Sequence, residues 1–259
     1  MSEYETIIVA VRNGIGKLTM NRPDSLNALN EKMTDEIRTG LNDLSRDPAV
    51  RCVAITGKGK AFSSGQDLRE LSSGRSPAEF LRRRYNPVVR LLTGMEKPVV
   101  ALVNGVAAGA GMSLALACDF RIMSAGAKMV QAFVRIGLVP DSGASFFMPR
   151  LLGAAKAFEL AALGEDITSQ DALRLGIVNR VFPDDDFVEE SEKMLLRFAS
   201  GPTRAYVFIK KLLADSGASS LEECLEREAA CQEIVGRTED ALEGTTAFLE
   251  KRRPSFKGE

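Results

Sequence analysis

The sequence contains no histidine. That absence removes the Ser-His-Asp and Cys-His arrangements of nucleophilic catalysis, and with them every His-ligated zinc site. Any general acid–base work must fall to Asp, Glu, Lys, Tyr or Cys. Nor is there an excess of charge of either sign. The 34 Lys and Arg balance 35 Asp and Glu to a formal net charge of -1, whereas a nucleic-acid-binding domain is usually strongly basic. The densest basic run, Arg82-Arg83-Arg84, sits in a polar, helix-like stretch and reads as a solvated face, with an anion site as the alternative. No apolar run approaches the ~20 residues needed to span a bilayer. The first five residues, Met1 to Glu5, are acidic and lack the profile of a secretion signal. The four cysteines (Cys52, Cys118, Cys224, Cys231) are scattered and make no metal-like pairs. Cys52 and Cys118 lie in apolar segments as buried thiols, and the expected setting is a reducing cytoplasm.

What is present is the composition of an ordinary folded protein: 259 residues, 45% hydrophobic and 27% charged. This suits one large domain, or one domain with a small appendage. Residues 6–11 and 17–20 read as strands about a turn at Gly14–Gly16. Residues 30–47 read as an amphipathic helix with Met33, Ile37, Leu41 and Leu44 on one face and Asn30 as N-cap. Apolar runs at 50–56 and 98–103 read as buried strands, each leading through a glycine loop into a helix. Short strands follow at 120–123 and 128–130. Strands alternating with helices predict a layered, parallel α/β core. From about residue 143 the pattern is helical alone, over 154–163, 169–175, 184–199, 202–213, 220–235 and 239–251. We therefore divide the chain into an α/β core, residues 1–195, and a C-terminal helical region, residues 196–259.

Several glycine clusters imitate nucleotide or nucleophile motifs. Gly57-Lys58-Gly59-Lys60 lacks the P-loop spacing. Gly14-Ile15-Gly16 leads into a strand instead of a helix. Gly111-Met112-Ser113-Leu114-Ala115 resembles a nucleophile elbow whose serine has no histidine to activate it. Two other strand-to-helix junctions remain: Ala61-Phe62-Ser63-Ser64-Gly65-Gln66-Asp67-Leu68, and the stretch from Asn104 through Gly109, Ala110 and Gly111 to Ser113. Their small residues serve either tight packing between layers or close approach of backbone to a ligand. In the second case, free N–H groups at two helix starts could converge on one oxygen as an oxyanion hole.

At these junctions the chain resembles the crotonase superfamily, the enoyl-CoA hydratases and isomerases. The resemblance runs through Asn21-Arg22-Pro23, Leu26-Asn27-Ala28-Leu29, the first junction, Lys97-Pro98-Val99-Val100-Ala101, Asn104-Gly105 and Cys118-Asp119. It continues in Ile136-Gly137-Leu138-Val139-Pro140, Leu173-Arg174-Leu175-Gly176-Ile177-Val178 and Phe248-Leu249-Glu250-Lys251-Arg252. It implies a spiral of strand–strand–helix turns with a C-terminal helical region that drives trimers, often paired into hexamers. It implies an acyl-CoA substrate and no separate cofactor or metal, since coenzyme A is part of the substrate; no nucleic acid or membrane is expected as partner. Motif matching assigns the oxyanion donors to the backbone N–H groups of Ser64 and Ala110. Ser64, Gly65, Gln66, Asp67 and Leu68 line the thioester end, with Gly111 beside Ala110, and Leu26, Asn27 and Ala28 lie near the adenine. Lys251 is either a phosphate or adenine contact, offered to a neighbouring subunit, or a solvated lysine.

Hydratases of this family use two glutamates. The matching positions here hold Ser113 and Phe133, neither of which is a competent proton carrier. Residues 132–143 instead resemble the ring-epoxide (1,2-epoxyphenylacetyl-CoA) isomerases of phenylacetate breakdown, which place an aspartate at the position of Asp141. Asp141 is thus either a lone proton shuttle, with Phe133, Phe146 and Phe147 making its surroundings apolar, or an N-cap for the following helix. Asp67 and Asp119 read as structural, and Ser113 as a packing hydroxyl or a substrate-orienting one. An isomerase is the expectation, a hydratase the alternative, and a non-catalytic RNA-binding or scaffold relative the third reading. The pocket's shape depends on helices across residues 71–89.

Overall fold

The computed structural model describes residues 4–70 and 76–259. The N-terminal Met1 to Glu3 and the first part of the 71–89 stretch, residues 71–75, lie outside the described residues. Strands β1 (Ile7–Arg12) and β2 (Ile15–Met20) form an antiparallel hairpin. Its turn is Asn13-Gly14, with φ of 52° and 76°, one residue earlier than the Gly14–Gly16 turn read from the sequence. Asn and Gly both tolerate the left-handed region that a two-residue hairpin needs. Gly16 serves β2 instead, where a methyl group would lie 2.6 Å from the Leu44 side chain.

From β2 the sheet continues in parallel through β3 (Cys52–Gly57), β5 (Val99–Val103), β7 (Phe120–Ser124) and β10 (Arg180–Phe182). A second sheet holds β4 (Ala61–Ser63), β6 (Val106–Ala108) and β8 (Lys128–Val130) in parallel, with β9 (Ile167–Thr168) antiparallel at its edge. Consecutive strands alternate between the sheets: β3 then β4, β5 then β6, β7 then β8. Helices α2 (Pro77–Arg83), α3 (Tyr85–Gly94) and α4 (Ala110–Leu116) complete these turns, giving the spiral of strand–strand–helix repeats expected from the resemblance. The short strands β9 and β10 were absent from the helices-only reading of the region after residue 143. At two and three residues they carry no periodicity of their own, and they form because a sheet edge awaits them.

The central strands β3 and β5 are covered on both faces, which is why they are almost continuously apolar. Val53, Ile55, Val99, Ala101 and Val103 share a core with Met33, Ile37, Leu41 and Leu44 of α1 (Glu31–Arg46). Asn30 caps that helix by accepting from the Met33 N–H at 2.9 Å. Cys52, Ala54, Val100, Leu102 and Ile122 face the other way, against Phe187, Leu195 and Ala199 of α8 (Phe187–Ala199). Cys52 and Cys118 are buried, and burial raises both thiols, Cys118 to about 12. Both are inert packing groups at neutral pH.

The chain then runs through α5 (Ala144–Leu152), α6 (Ala154–Leu163) and α7 (Ser169–Arg174) before β10, and ends in α9 (Thr203–Ser216), α10 (Leu221–Val235) and α11 (Glu239–Leu249). The boundary expected at 195/196 falls inside α8. The terminal segment is pinned to the body by Arg51, whose guanidinium donates to the carbonyls of Gly201 and Phe256. Asp240, only 4% exposed, accepts the N–H groups of Lys257 and Gly258 at 2.7 and 2.8 Å. Among the described residues, no helix is long and apolar enough to cross a membrane. Because two charge-assisted hydrogen bonds meet on Asp240, Asp240→Ala should lower unfolding stability by about 2–3 kcal/mol. Urea denaturation checks this; an unchanged midpoint would show that the tail contributes nothing to the fold.

Candidate active site

The loop 21–29 and the loop 63–67 are stitched together first. Asn27 is fully buried although its φ is 55°. Its carboxamide donates to the carbonyls of Lys58 and Ala61 and accepts the Arg22 N–H. The side chain of Asn27 is therefore engaged by the protein, where it holds the loop in shape. Leu26, at φ 52°, is 46% exposed beside it, and Ala28 lines the main cavity. Asp67, 5% exposed, pairs with Arg22 at 3.0 Å and Arg69 at 2.7 Å. Its hydrogen bonds with Arg69, followed by that from Arg22, hold its carboxyl well below the usual carboxylate range. It organises the turn as a fixed anion.

The expected donor at Ser64 is corrected by this stitching. The Ser64 N–H donates to the Leu26 carbonyl at 2.9 Å and is not free for a ligand. One residue on, the Gly65 carbonyl accepts from Leu29 N–H at 2.7 Å, and Asp67 N–H donates to the Leu29 carbonyl at 3.1 Å. Within one trans peptide unit the C=O and N–H point in opposite directions. The Gln66 N–H, which shares its unit with the Gly65 carbonyl, is thus turned away from the 26–29 loop and has no hydrogen-bond partner among the described residues. Gly65 makes the turn at φ 90°. A methyl group there would lie 2.7 Å from the Ala108 carbonyl oxygen and 3.4 Å from the Ala110 nitrogen, so the two junctions are in direct contact. At Gly111 a methyl group would lie 2.5 Å from the Ser63 carbonyl oxygen.

The second junction presents its own bare amide. Gly109 donates to the Val130 carbonyl and accepts from Ser113, whereas Ala110 N–H, at the start of α4, has no partner among the described residues. Gln66 and Ala110 both line one cavity of about 670 Å³. The motif assignment named Ser64, whose N–H is bonded to Leu26; which N–H of this loop stays bare depends on pairing with residues 26–29, which no motif spells out.

Asp141 lines the same cavity. It does not cap α5, whose N-cap is Gly143 with no side-chain bond; its described side-chain partner is the adjacent Ser142 hydroxyl at 2.7 Å. Ser142 and Gly143 both take positive φ, 52° and 89°, in a tight turn behind the carboxylate. Burial raises the Asp141 carboxyl above its ordinary range, opposed by the Ser142 hydrogen bond. Phe133 is buried in the cavity wall as expected, but Phe146 is 48% exposed with the Arg150 guanidinium 3.5 Å from its ring centroid, and Phe147 packs behind Gly143. The apolar surroundings come instead from Phe80, Leu81, Ile136, Leu138 and Val139, on segments too short for periodicity to reveal.

Ser113 is fully buried, its hydroxyl donating to the Gly109 carbonyl at 3.2 Å, a packing role. Asp119 accepts from Val99 N–H and pairs with Lys210 at 2.9 Å. Lys251 is exposed beyond α11 and is not among the cavity residues. Tyr85, which the sequence reading did not single out, is 1% exposed, lines the cavity, and donates its hydroxyl to the Gln66 side-chain oxygen.

Residues 10–259 match the enoyl-CoA hydratase/isomerase family. The chain is 38% identical to the 1,2-epoxyphenylacetyl-CoA isomerase of Escherichia coli K12, covering 98% of this chain and 99% of that one. It is 37% identical to the crotonyl-CoA hydratase of Syntrophomonas wolfei, covering 98% of each. The crystal structure of an enoyl-CoA hydratase from Bacillus anthracis superposes with a TM-score of 0.92 at 31% identity, covering 98% of this chain and 100% of that one.

The contact between the junctions sets a clear expectation. Gly65→Ala combines a strained φ with a clash against the Ala108 carbonyl, and should cost about 2–4 kcal/mol in unfolding stability. Gly94→Ala, at the end of α3 with open space around it, should be neutral. Thermal or urea unfolding of the pair checks this, and equal stabilities would mean that the junctions are not packed as described.

Proposed function

We propose, on the premise that this chain belongs to the enoyl-CoA hydratase/isomerase family, that it is an acyl-CoA isomerase in which Asp141 is the single proton carrier. The thioester carbonyl oxygen would accept from the Gln66 and Ala110 amides. Removal of an adjacent C–H proton by Asp141 then places negative charge on an oxygen already faced by two donors. Donors aimed at charge that develops only during reaction stabilise the transition state selectively, and each is worth roughly a hundredfold or more in rate. The same carboxyl, now protonated, returns the proton to a different carbon, and the unsaturation moves.

The observation that carries this reading is the state of the cavity's carboxylates. Asp67 is held by two arginines, and Glu70 accepts the N–H of Glu31. Asp141 alone among the cavity carboxylates sits in largely apolar surroundings with a raised pKa, the condition for a base that must also give its proton back. The two positions that hold the hydratases' glutamates carry a hydroxyl bonded to its own helix and a phenylalanine, so neither supplies a carboxylate to activate water. The similarity to a ring-epoxide isomerase supports the same choice. The similarity to a crotonyl-CoA hydratase keeps hydration as the competing chemistry.

Assembly is proposed on the exposed apolar residues of the C-terminal helices: Leu213, Leu221, Leu225, Leu242, Phe248 and Leu249. Such a display is uncommon on a lone monomer, and a trimer or hexamer would cover it. Light scattering on the purified protein reads the mass directly; a monomer at micromolar concentration rules the assembly out.

Asp141→Asn is expected to abolish solvent exchange of the acyl-CoA C–H protons in deuterated water, with acyl-CoA affinity within about threefold of the parent. An active Asp141→Asn enzyme defeats the assignment. Because only the ionised carboxylate accepts a proton, and its pKa is raised, the rate should fall with decreasing pH from a point above the ~4 of an ordinary aspartate. With crotonyl-CoA, double-bond and proton-exchange chemistry should outrun water addition; rapid formation of the 3-hydroxy product would favour the hydratase instead.

A further inference from the structure

The oxyanion donor at Gln66 has bare backbone but an occupied side chain, and the occupant is unusual. Tyr85, the first residue of α3, is among the largest fully buried side chains. It is set in place from behind. Arg84 pairs with Glu31 and Asp35 on α1, and the Phe80 ring lies 5.7 Å from the Tyr85 ring, centroid to centroid. The hydroxyl reaches across the cavity wall to the Gln66 Oε1, and the Gln66 Nε2 makes a second contact with the Asp67 carbonyl at 3.3 Å. A phenylalanine would fill the same volume; only the hydroxyl makes the link to Gln66.

We infer that Tyr85 is a positioning residue for the oxyanion hole: its hydroxyl latches the Gln66 carboxamide so that this residue offers the cavity its backbone N–H and nothing else. The inference rests on the Gln66 and Ala110 amides being the donors, as proposed above. The latch matters because Gln66 is held by Leu29 only through the peptide units on either side of it. The side chain on the same residue has three rotatable bonds and both a donor and an acceptor. Released, it could meet either the thioester oxygen or the Asp141 carboxylate in the same cavity, replacing a fixed dipole by a mobile one. Preorganisation is what gives such donors their value. The phenol is also fit for the task chemically. Burial first, and then the charge of Asp141, hold its pKa well above the ordinary value, so it stays a neutral donor at any working pH.

The test reads the bound carbonyl directly. Butyryl-CoA labelled with carbon-13 at the thioester carbon has no double bond to move or hydrate, and its C=O stretch shifts to lower frequency when donors polarise it. In the parent protein a red shift is expected on binding. In Tyr85→Phe the shift should shrink by half or more, and kcat for proton exchange should fall roughly tenfold to a hundredfold, while butyryl-CoA affinity stays within about threefold. Gln66→Ala removes the same link from its other end, and in that background Tyr85→Phe should change the carbonyl frequency no further. A purely structural tyrosine would lower the melting temperature without moving the frequency. A parent-like shift in a folded Tyr85→Phe protein overturns the latch and leaves the oxyanion assignment standing. No red shift in the parent overturns the assignment itself, and the latch with it.

Discussion

The whole site depends on one steric condition: the backbone segments that follow two adjacent strands of one sheet must touch without side chains between them. Gly65 lies against the Ala108 carbonyl and Gly111 against the Ser63 carbonyl, and each contact is closed to any residue with a Cβ. These are reciprocal, each loop providing the glycine for the other's carbonyl. The spiral supplies the setting, because β4 and β6 are neighbours in the second sheet and deliver the two loops from adjacent strands at one level. Bare amides at the end of such strands need no side-chain chemistry, which is how the proposed reaction would polarise a carbonyl in a chain without histidine.

That condition also explains which parts of the molecule were legible in the sequence. Helix α1 with its Asn30 cap, the apolar strands β3 and β5, and helix α6 write their environments into period and composition, since many residues face one consistent surface. The junctions were legible through their glycines. What was not legible depends on a partner far away in the chain. Ser64 loses its amide to Leu26, 38 residues earlier, and the Gln66 amide is turned outward because Leu29 takes the Gly65 carbonyl. Phe146 and Phe147 adjoin Asp141 in sequence, yet the turn at Ser142 and Gly143 sends them elsewhere, and the aliphatic wall comes from residues 136–139 and from α2. Asn27 belongs to the recognisable motif but works as a staple. A motif reports that a position matters without saying whether it touches ligand or loop.

The polar groups of the cavity divide by how firmly they are held. Asp67 is fixed as an anion by two guanidiniums, and its lowered pKa removes it from proton transfer at any working pH. Among the described residues, Asp141 has neither a paired cation nor a backbone donor to stabilise its charge, only the hydroxyl of Ser142. The two carboxyls differ in their partners, and the pKa of Asp67 moves down while that of Asp141 moves up. Pairing outweighs desolvation in the first case, and desolvation outweighs a single neutral hydrogen bond in the second. A site assembled in this way separates a charge that builds the loop from a charge that can come and go.

Tyr85 belongs between these two. A buried phenol must find an acceptor, and three candidates lie around the cavity: Asp141, a substrate oxygen and the Gln66 carboxamide. Bonding to Asp141 would stabilise the carboxylate and lower its pKa, weakening the base. Bonding to a substrate oxygen that gains no charge in the reaction would help the ground state as much as the transition state, which raises affinity without raising the rate. Bonding to Gln66 does neither. It leaves Asp141 with its raised pKa and leaves the carbonyl to the two main-chain amides, so the one acceptor Tyr85 has chosen is the one that costs the proposed chemistry nothing.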